Sequence, residues 1–268
     1  MTRHDLTTEL IGGPTLLIEV GGLRIITDPT FDAPRSYPEP FESDVPQPPR
    51  PLRKTTAPAR SAEDIGRVDL ALISHDHHED NLDRAGREFL ATVGQVLTTG
   101  LGAERLGNGA IGLDDYATHT VDLPAGGSVT VTGVPAHHGP EGVWQAVGPV
   151  TGFVLSGDLP STYISGDNAS LDVVDEIAAR FPDVEIAIVF AGDPGWPELA
   201  DGACVTMSGE TCVAVSDRWP DAVVVPVHCD SWDHFREGVD EVRSAFEAAG
   251  KADRLHVLSA GTSEVTTA

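Results

Sequence analysis

The chain has 268 residues, of which 40% are hydrophobic and 22% charged, the profile of a soluble globular protein. Its 42 acidic and 17 basic residues leave a net charge of −25, which repels phosphate backbones and argues against nucleic-acid binding. No run approaches the roughly 20 apolar residues of a membrane helix, and the N-terminal MTRHDLTTEL has no apolar signal core. We therefore expect a cytoplasmic location and no membrane partner.

The N-terminal part of the sequence predicts a meander of strands followed by a long loop. Apolar runs separated by glycine pairs, in TELIGG, TLLIEVGG and LRIITDP, predict three strands that end at Asp28-Pro29. Residues 32–60 are proline-rich without a periodic pattern, which predicts a loop that is functional or mobile. Residues 45–60 carry no acid and four cations that are either solvated charges or a rim for an anionic substrate group: Arg50, Arg53, Lys54 and Arg60.

The rest of the sequence predicts strands that later alternate with helices. VDLALISH predicts a buried strand, followed by the polar turn HDHHEDN and a helix over NLDRAGREFLATVG. Further strands are predicted in QVLTTG, THTVDL, SVTVTGVPA, GFVLSG, STYISGD, VEIAIVF, AVVVPVH and LHVLS. Helices are predicted over residues 171–181, where Ser170 can cap the start, and over residues 208–219.

The last predicted helix covers SWDHFREGVDEVRSAFEAAG, residues 231–250. Its apolar residues recur at spacings of three and four, and they are Trp232, Phe235, Val239, Val242 and Phe246. This spacing predicts one apolar stripe that lies on a sheet.

Residues that can bind metals recur directly after predicted strands. His75 follows DLALIS, the pair His137-His138 follows VTVTGVPA, Asp167 follows TYISG, and His228 follows AVVVPV. Strand ends deliver side chains to one edge of a sheet. Imidazole and carboxylate are ligands of Zn²⁺ and related metals, which need three or more converging groups. The recurrence therefore predicts a metal site.

The same segments resemble, in the same order, the motifs of the metallo-β-lactamase-fold hydrolases. The matching segments are IGGPTLLIEVGGLRIITDP, HDHHEDN, PAHH, SGD and PVH, across residues 11–228. Within that family the chain looks like the branch of L-ascorbate 6-phosphate lactonase and N-acyl-phosphatidylethanolamine phospholipase D. The resemblance implies an α/β fold, a four-layer αββα sandwich of two mixed β-sheets flanked by helices, formed as a single domain by residues 1–268.

The turn HDHHEDN departs from the family's His-x-His-x-Asp-His pattern and fits it in two registers. Without a gap, His75 and His77 are ligands and Asp80 takes the place of the last histidine. With one inserted residue, the ligands are His75, His78 and Asp80; we favour this register because it keeps an aspartate two residues after a histidine. Asn81 then replaces the last histidine, which in the family binds the second metal, so we expect weaker binding at that position.

The resemblance also implies a set of metal ligands. In the first metal site the ligands would be His75, His78 or His77, and His138, while Asp167 would bridge to a second metal completed by Asp80 and His228. One or two divalent ions are expected, with zinc placed first and manganese and iron also suited to these ligands.

The implied activity is hydrolysis of a small ester, lactone or phosphodiester by a metal-activated hydroxide. Asp80 would orient the nucleophilic water and pass its proton to the leaving group, and His234 would donate a hydrogen bond to the developing oxyanion. The expected partner is a small-molecule substrate, which would be anionic if the basic segment forms a rim around the site. A homo-oligomer is also compatible with the sequence. The alternative, motivated by the altered turn, is a catalytically degraded metal-binding or sensing module of the same fold.

Overall fold

The computed structural model describes residues 3–38 and 48–267. In chain order, the strands of these residues are β1 (Leu6–Gly12), β2 (Thr15–Val20), β3 (Leu23–Thr27), β4 (Arg35–Tyr37), β5 (Leu52–Lys54), β6 (Leu70–Leu72), β7 (Gln95–Thr98), β8 (Ile111–Gly112), β9 (Thr118–Asp122), β10 (Ser128–Ala136), β11 (Val150–Gly157), β12 (Thr162–Ile164), β13 (Ile186–Phe190), β14 (Val223–Val227) and β15 (Ser263–Thr266). The helices are α1 (Ala62–Ile65), α2 (Arg84–Leu90), α3 (Gly100–Leu106), α4 (Trp144–Val147), α5 (Leu171–Arg180), α6 (Gly209–Arg218) and α7 (Val239–Ala248).

The strands form two large mixed sheets and one hairpin. The first sheet has the order β15-β1-β2-β3-β6-β7-β8, and the second has the order β14-β13-β12-β11-β10-β9. In the first sheet, β1 to β3 pair antiparallel and β3, β6, β7 and β8 pair parallel. In the second sheet, β9 to β12 pair antiparallel and β12 to β14 pair parallel. Strands β4 and β5 pair with each other within the proline-rich segment.

Apolar side chains pack in three layers between the elements. Leu16 of the first sheet and Phe153 of the second belong to the core between the two sheets. Ile177 of α5 and Phe246 of α7 pack on the outer face of the second sheet, and Phe89 of α2 packs on the outer face of the first. Each sheet thus has one face against the other sheet and one against helices. The chain has the predicted αββα metallo-β-lactamase fold.

Local sequence signals account for most of the element boundaries. The turns of the N-terminal meander lie at glycine pairs, where Gly13 and Gly21 have φ angles of +58° and +52°, a region that disfavours other residues. Helix α5 begins where predicted, because the Ser170 hydroxyl accepts a hydrogen bond from the Val173 N–H at 3.3 Å. None of the helices in the described part of the chain is long and apolar enough to span a membrane.

The predicted helix over residues 231–250 is wrong in its first half. Helix α7 begins only at Val239, and the preceding residues form an irregular segment. Trp232 packs there with Tyr37 of β4, whereas Phe246 packs under the second sheet. The apolar residues therefore divide between two separate clusters, and their helical spacing across residues 231–238 does not reflect a helix.

The C-terminal strand also differs from the prediction. The segment LHVLS forms no named strand, since only Leu255 makes an isolated bridge, to Val224 of β14. The last strand is β15, which pairs antiparallel with β1 and so covers the edge of the first sheet. Unpaired edge strands invite association with other chains, and this pairing satisfies one such edge.

Candidate metal centre

Strand ends from both sheets meet at one edge of the sandwich. His75 follows β6 of the first sheet, and His138, Asp167 and His228 follow β10, β12 and β14 of the second. Together with His78 and Asp80 of the HDHHEDN turn, they form two groups that share Asp167. In each group one potential ligand atom from every residue lies within 4.8 Å of those of the others. The sequence correctly predicts that these distant segments converge.

The first group contains His75, His78, His138 and Asp167, all buried. His75 Nε2 lies 3.0 Å from His78 Nδ1. Asp167 Oδ2 lies 3.6 Å from His138 Nε2 and 3.9 Å from His75 Nε2. Four ligands placed tetrahedrally around Zn²⁺ at bonds of about 2.0 to 2.1 Å are roughly 3.4 Å apart. The separations in this group are therefore close to those that a small cation requires.

The second group contains Asp80, Asp167 and His228. The His228 ring lies between the two carboxylates, with Nε2 at 3.5 Å from Asp80 Oδ2 and Nδ1 at 3.7 Å from Asp167 Oδ1. His228 has a φ angle of +57°, a left-handed conformation that is costly for a residue with a Cβ atom. The backbone is thus strained where it directs this imidazole toward the carboxylates.

The polar atoms of the two groups fit a metal cation. Asp80 Oδ1 and Asp167 Oδ2 are buried carboxylate oxygens without a hydrogen-bond partner among the described residues. Burying such an atom is unfavourable unless a proton, a donor or a cation compensates for lost water. A set of imidazole nitrogens and carboxylate oxygens suits zinc and related divalent metals.

Asn81 lies where the family's turn has its last histidine. Its amide Nδ2 donates a hydrogen bond to Asp167 Oδ1 at 3.2 Å. The amide thus contacts the carboxylate oxygen that faces His228, and it is a neutral group where the family supplies an imidazole. An amide is a weaker metal ligand than an imidazole.

His77 and Glu79 belong to neither group, although the centroid of the His77 ring lies 4.7 Å from that of His75 and 4.6 Å from that of His78. The backbone of Val147 hydrogen-bonds with the His77 side chain, whose ring also lies next to Gly148. Glu79 lines a different pocket, together with Tyr37 and several prolines. The geometry therefore corresponds to the register with one inserted residue, in which His78 and not His77 points toward the other ligands.

Asp80 is held by a second histidine. His234 Nε2 lies 3.0 Å from Asp80 Oδ2, and its ring stacks on Trp196 with centroids 5.4 Å apart and planes 12° apart. His234, the predicted oxyanion donor, therefore has one of its two ring nitrogens in contact with Asp80. Trp196 lies in the wall of the pocket described below, whereas Trp232 is buried in the cluster with Tyr37.

Two of the histidines are oriented by groups behind them. The Val205 carbonyl accepts a hydrogen bond from His138 Nδ1 at 2.6 Å, so that Nε2 faces Asp167. Ser74 Oγ lies 2.9 Å from His75 Nδ1, and the Ser74 N–H donates to Asp28 Oδ1 at 2.7 Å. Such partners fix the ring orientation of metal ligands. The sequence did not predict the role of Val205, because every residue has a backbone carbonyl and the residue type therefore does not indicate such a contact.

Burial and mutual proximity keep the clustered imidazoles neutral. Burial, followed by the neighbouring histidines, lowers the pKa of His75 and of His78 well below the usual value of 6.5. Burial, followed by the charge of Arg105, lowers the pKa of His77 to about 3. A neutral imidazole is the form that binds a metal, so these rings are available as ligands without first losing a proton.

In the second group, the charges and hydrogen bonds of neighbouring side chains outweigh the effect of burial on the pKa values. Burial alone would raise the pKa of Asp80, but hydrogen bonds with His228 and His234 outweigh it and lower that pKa well below its usual range. Burial alone would lower the pKa of His228, but the Asp167 and Asp80 carboxylates raise it above 6.5. Without a cation, the charges of the two carboxylates therefore favour a protonated His228 between them.

A pocket of about 140 Å³ lies against both ligand groups. Its polar side includes His78, Asp80, His138 and Asp167, with His234 beside them. The opposite side, called the apolar wall below, consists of six side chains: Val143, Ala146, Val147, Trp196, Leu199 and Val205. A ligand in this pocket is thus in contact with candidate metal ligands on one side and with hydrocarbon on the other.

The cations of the basic segment do not line this pocket, although Pro48 of the same segment does. Three of them pair with acids, in the ion pairs Arg50–Glu198, Lys54–Asp83 and Arg60–Glu9. Part of the loop, residues 39–47, falls outside the described residues. The described cations therefore do not form the predicted rim around the ligand groups.

Comparisons with known proteins show the family of the chain. A family model described as a beta-lactamase superfamily domain matches residues 23–229. A UPF0173 metal-dependent hydrolase from Pelotomaculum thermopropionicum is 28% identical over 210 residues, which cover 75% of this chain and 84% of the relative.

Solved structures share the complete fold. Isothiocyanate hydrolase from Delia radicum gut bacteria has a TM-score of 0.79 at 20% identity, covering 98% of this chain and 100% of that chain. A possible metal-dependent hydrolase from Veillonella parvula has a TM-score of 0.77 at 17% identity, covering 99% of this chain and 100% of that chain. At these identities the likeness shows the fold alone.

Proposed function

Because the chain belongs to the metallo-β-lactamase superfamily, we propose that it is a metal-dependent hydrolase of a small ester, lactone or phosphodiester. The observation that carries the proposal is the convergence of two ligand groups on the shared Asp167 beside a pocket. By its motifs we assign the chain to the branch that resembles L-ascorbate 6-phosphate lactonase and N-acyl-phosphatidylethanolamine phospholipase D.

The first ligand group is the tighter metal position in this proposal. His75, His78 and His138 supply three imidazoles, and Asp167 supplies one carboxylate. This four-ligand set favours zinc, and manganese and iron also accept it. The second position has only Asp80, the shared Asp167 and His228, with the Asn81 amide in place of an imidazole. We expect one ion to bind tightly and a second to bind weakly.

A divalent cation at this centre supplies Lewis acidity toward the substrate oxygen and acidifies a water molecule toward neutral pH. Asp80 lies at the pocket surface with its pKa held low, so it is an ionised acceptor that can orient this water and then move its proton to the leaving group. His234 holds Asp80 through Nε2 and so positions the carboxylate, a role that its geometry favours over the predicted contact with an oxyanion.

The alternative function is a metal-binding or sensing module of the same fold that has lost turnover. The replacement of the family's last turn histidine by Asn81 favours it, because the second metal position is weakened. The two functions differ in turnover and not in metal binding at the first position. Metal-loaded protein that hydrolyses no ester, lactone or phosphodiester would support the sensing function.

The test removes the metal and one of its proposed ligands. Protein stripped by a chelator is reloaded with Zn²⁺, Mn²⁺ or Fe²⁺, its metal content is measured by mass spectrometry, and turnover is followed with a panel of the three substrate classes. His138→Ala should bind less than one equivalent of metal and lose turnover, because it removes one of four converging ligands. His119→Ala, a change of the same type on β9 outside the site, is the control and should retain both. Unchanged metal content in His138→Ala would refute the assignment.

A further inference from the structure

The apolar wall is separate from the hydrophobic cores of the fold. Val143, Val147 and Val205 form a cluster of their own, against which Trp196 and Leu199 pack. Helix α4 and the segment 194–205 carry these side chains, and neither belongs to a sheet. Their cluster contains no strand residue, in contrast to the cores in which helices cover a sheet face. Their common feature is contact with the pocket beside the candidate metal ligands.

The described lining of the pocket has no lysine or arginine that could bind an anionic group of the substrate away from the metal. Asp80 and Asp167, by contrast, are among its lining residues. Residues 39–47, which the structure does not describe, contain three acids and no lysine or arginine in the sequence. An anionic group against the apolar wall would lose its water without gaining a partner, which is unfavourable.

The size of the pocket limits the group that it can hold. Its volume is about 140 Å³. An engineered cavity of roughly 150 Å³ in another protein, also lined by aliphatic and aromatic side chains, binds benzene. This volume includes the space next to the metal ligands, so it sets an upper limit of about six carbon atoms on the hydrocarbon group.

We propose that the substrate is a neutral ester or lactone, and so not an anionic phosphodiester, that places an apolar group of up to about six carbons against the apolar wall while its scissile bond faces the metal ligands. This inference rests on the proposed function, because that function places the reaction at the metal ligands of the pocket. It replaces the anionic substrate considered from the basic segment, because the described cations of that segment do not line the pocket. The pocket thereby selects substrates by the hydrocarbon that they bury.

The first experiment measures binding and does not depend on turnover. Calorimetry with the zinc-loaded protein compares hexanamide with adipamate, a six-carbon amide of the same length that ends in a carboxylate. We expect hexanamide to bind at least tenfold more tightly, because its terminal methyl group needs no partner in the apolar wall. Equal binding, or tighter binding of adipamate, would overturn the inference.

The second experiment measures selectivity in turnover. Hydrolysis of methyl acetate, methyl hexanoate and monomethyl adipate is followed by acid release. Burial of each methylene is worth about fourfold, so kcat/KM should rise on the order of 100-fold from acetate to hexanoate and fall again for the adipate. If no ester, lactone or phosphodiester is hydrolysed while hexanamide still binds preferentially, the proposed function fails and the pocket assignment stands. Turnover that is flat along the series, or higher for the adipate, would overturn the inference.

A lysine introduced into the apolar wall tests whether the wall itself determines the binding preference. The same change outside the wall controls for a general effect of added charge. Leu199→Lys places a cation at the half-buried edge of the wall and should reduce the preference for hexanamide over adipamate by about tenfold. Leu101→Lys makes the same change at an exposed leucine of α3 and should leave the preference unaltered. An identical preference in Leu199→Lys and in the wild type would count against the apolar wall as the substrate surface.

Discussion

The buried ion pair between Lys54 and Asp83 offers a test of how the proline-rich segment is fastened beside the site. Lys54 Nζ lies 3.0 Å from Asp83 Oδ2, and the two side chains are 2% and 0% exposed. Lys54 also donates to the Thr30 carbonyl at 2.8 Å. Asp83 follows the HDHHEDN turn directly and begins helix α2. The pair thus joins β5 of the proline-rich segment to the turn that carries His78 and Asp80.

Lys54→Met removes the charge and keeps most of the buried chain length. Asp83 retains three backbone N–H donors, from Phe31 at 2.9 Å, Asp32 at 2.7 Å and Gly86 at 2.8 Å. Breaking a buried pair by removing one partner typically costs about 3 to 5 kcal/mol. Because these three donors continue to stabilise the carboxylate, we expect a loss near the lower limit, about 3 kcal/mol at pH 8.

The loss should depend on pH in a defined direction. Burial raises the pKa of Asp83 above its usual 3.8, and the charge of Lys54 opposes that rise. Without Lys54, the pKa of Asp83 in the folded state should rise further above its unfolded value. A group with a raised pKa in the folded state destabilises the protein as pH increases through that pKa. The variant should therefore be closer to the wild type in stability at pH 5 than at pH 8.

The measurement is urea unfolding at both pH values with the metal concentration held constant. Arg53→Met is the matched control, since Arg53 is the exposed neighbour of Lys54 on β5, and its stability should change by less than about 0.5 kcal/mol. A change below about 1 kcal/mol in Lys54→Met, equal at both pH values, would refute the reasoning, because a desolvated pair cannot be so weak when one partner is removed.

The remaining predictions concern the two metal positions. His78→Ala should lose the tightly bound ion, whereas His77→Gln should keep about one equivalent by mass spectrometry, because His77 belongs to neither ligand group and hydrogen-bonds with the Val147 backbone. The reverse result would restore the ungapped register. Asn81→His should raise the retained metal after gel filtration from about one equivalent toward two, because an imidazole would replace an amide at the second position. An unchanged ratio would show that Asn81 does not limit binding there.

The sequence predicted those parts of the fold in which local and tertiary signals agree. The glycine pairs of the meander and the Ser170 cap determine backbone geometry locally, and the structure has both features. The segment 231–238 shows the opposite case. Its apolar spacing is helical, but Trp232 packs with Tyr37, which lies far away in the chain. Tertiary contact overrode a periodic pattern that local reasoning could not distinguish from a helix.

The sequence predicted which segments meet at the candidate site, but not the direction of every side chain in it. Strand ends carry His75, Asp167 and His228 in a pattern that predicts convergence, since neighbouring strands end at a common edge. The choice between His77 and His78 required the direction of each ring, which a sequence of adjacent histidines does not contain. The apolar wall was also missed as a unit, because its residues belong to glycine- and proline-rich segments without periodicity.

The division of the ligands between the sheets has a consequence for the lifetime of the protein. His75 and His78 come from the first half of the chain, and His138 and Asp167 come from the second. An ion bound by all four residues links the two halves of the chain. At a free concentration 1,000 times its Kd, the ion adds about 4 kcal/mol to the free energy of unfolding. Metal-free protein should therefore unfold and be cleaved by proteases more readily than metal-loaded protein, so that metal supply affects the lifetime of the protein as well as its turnover.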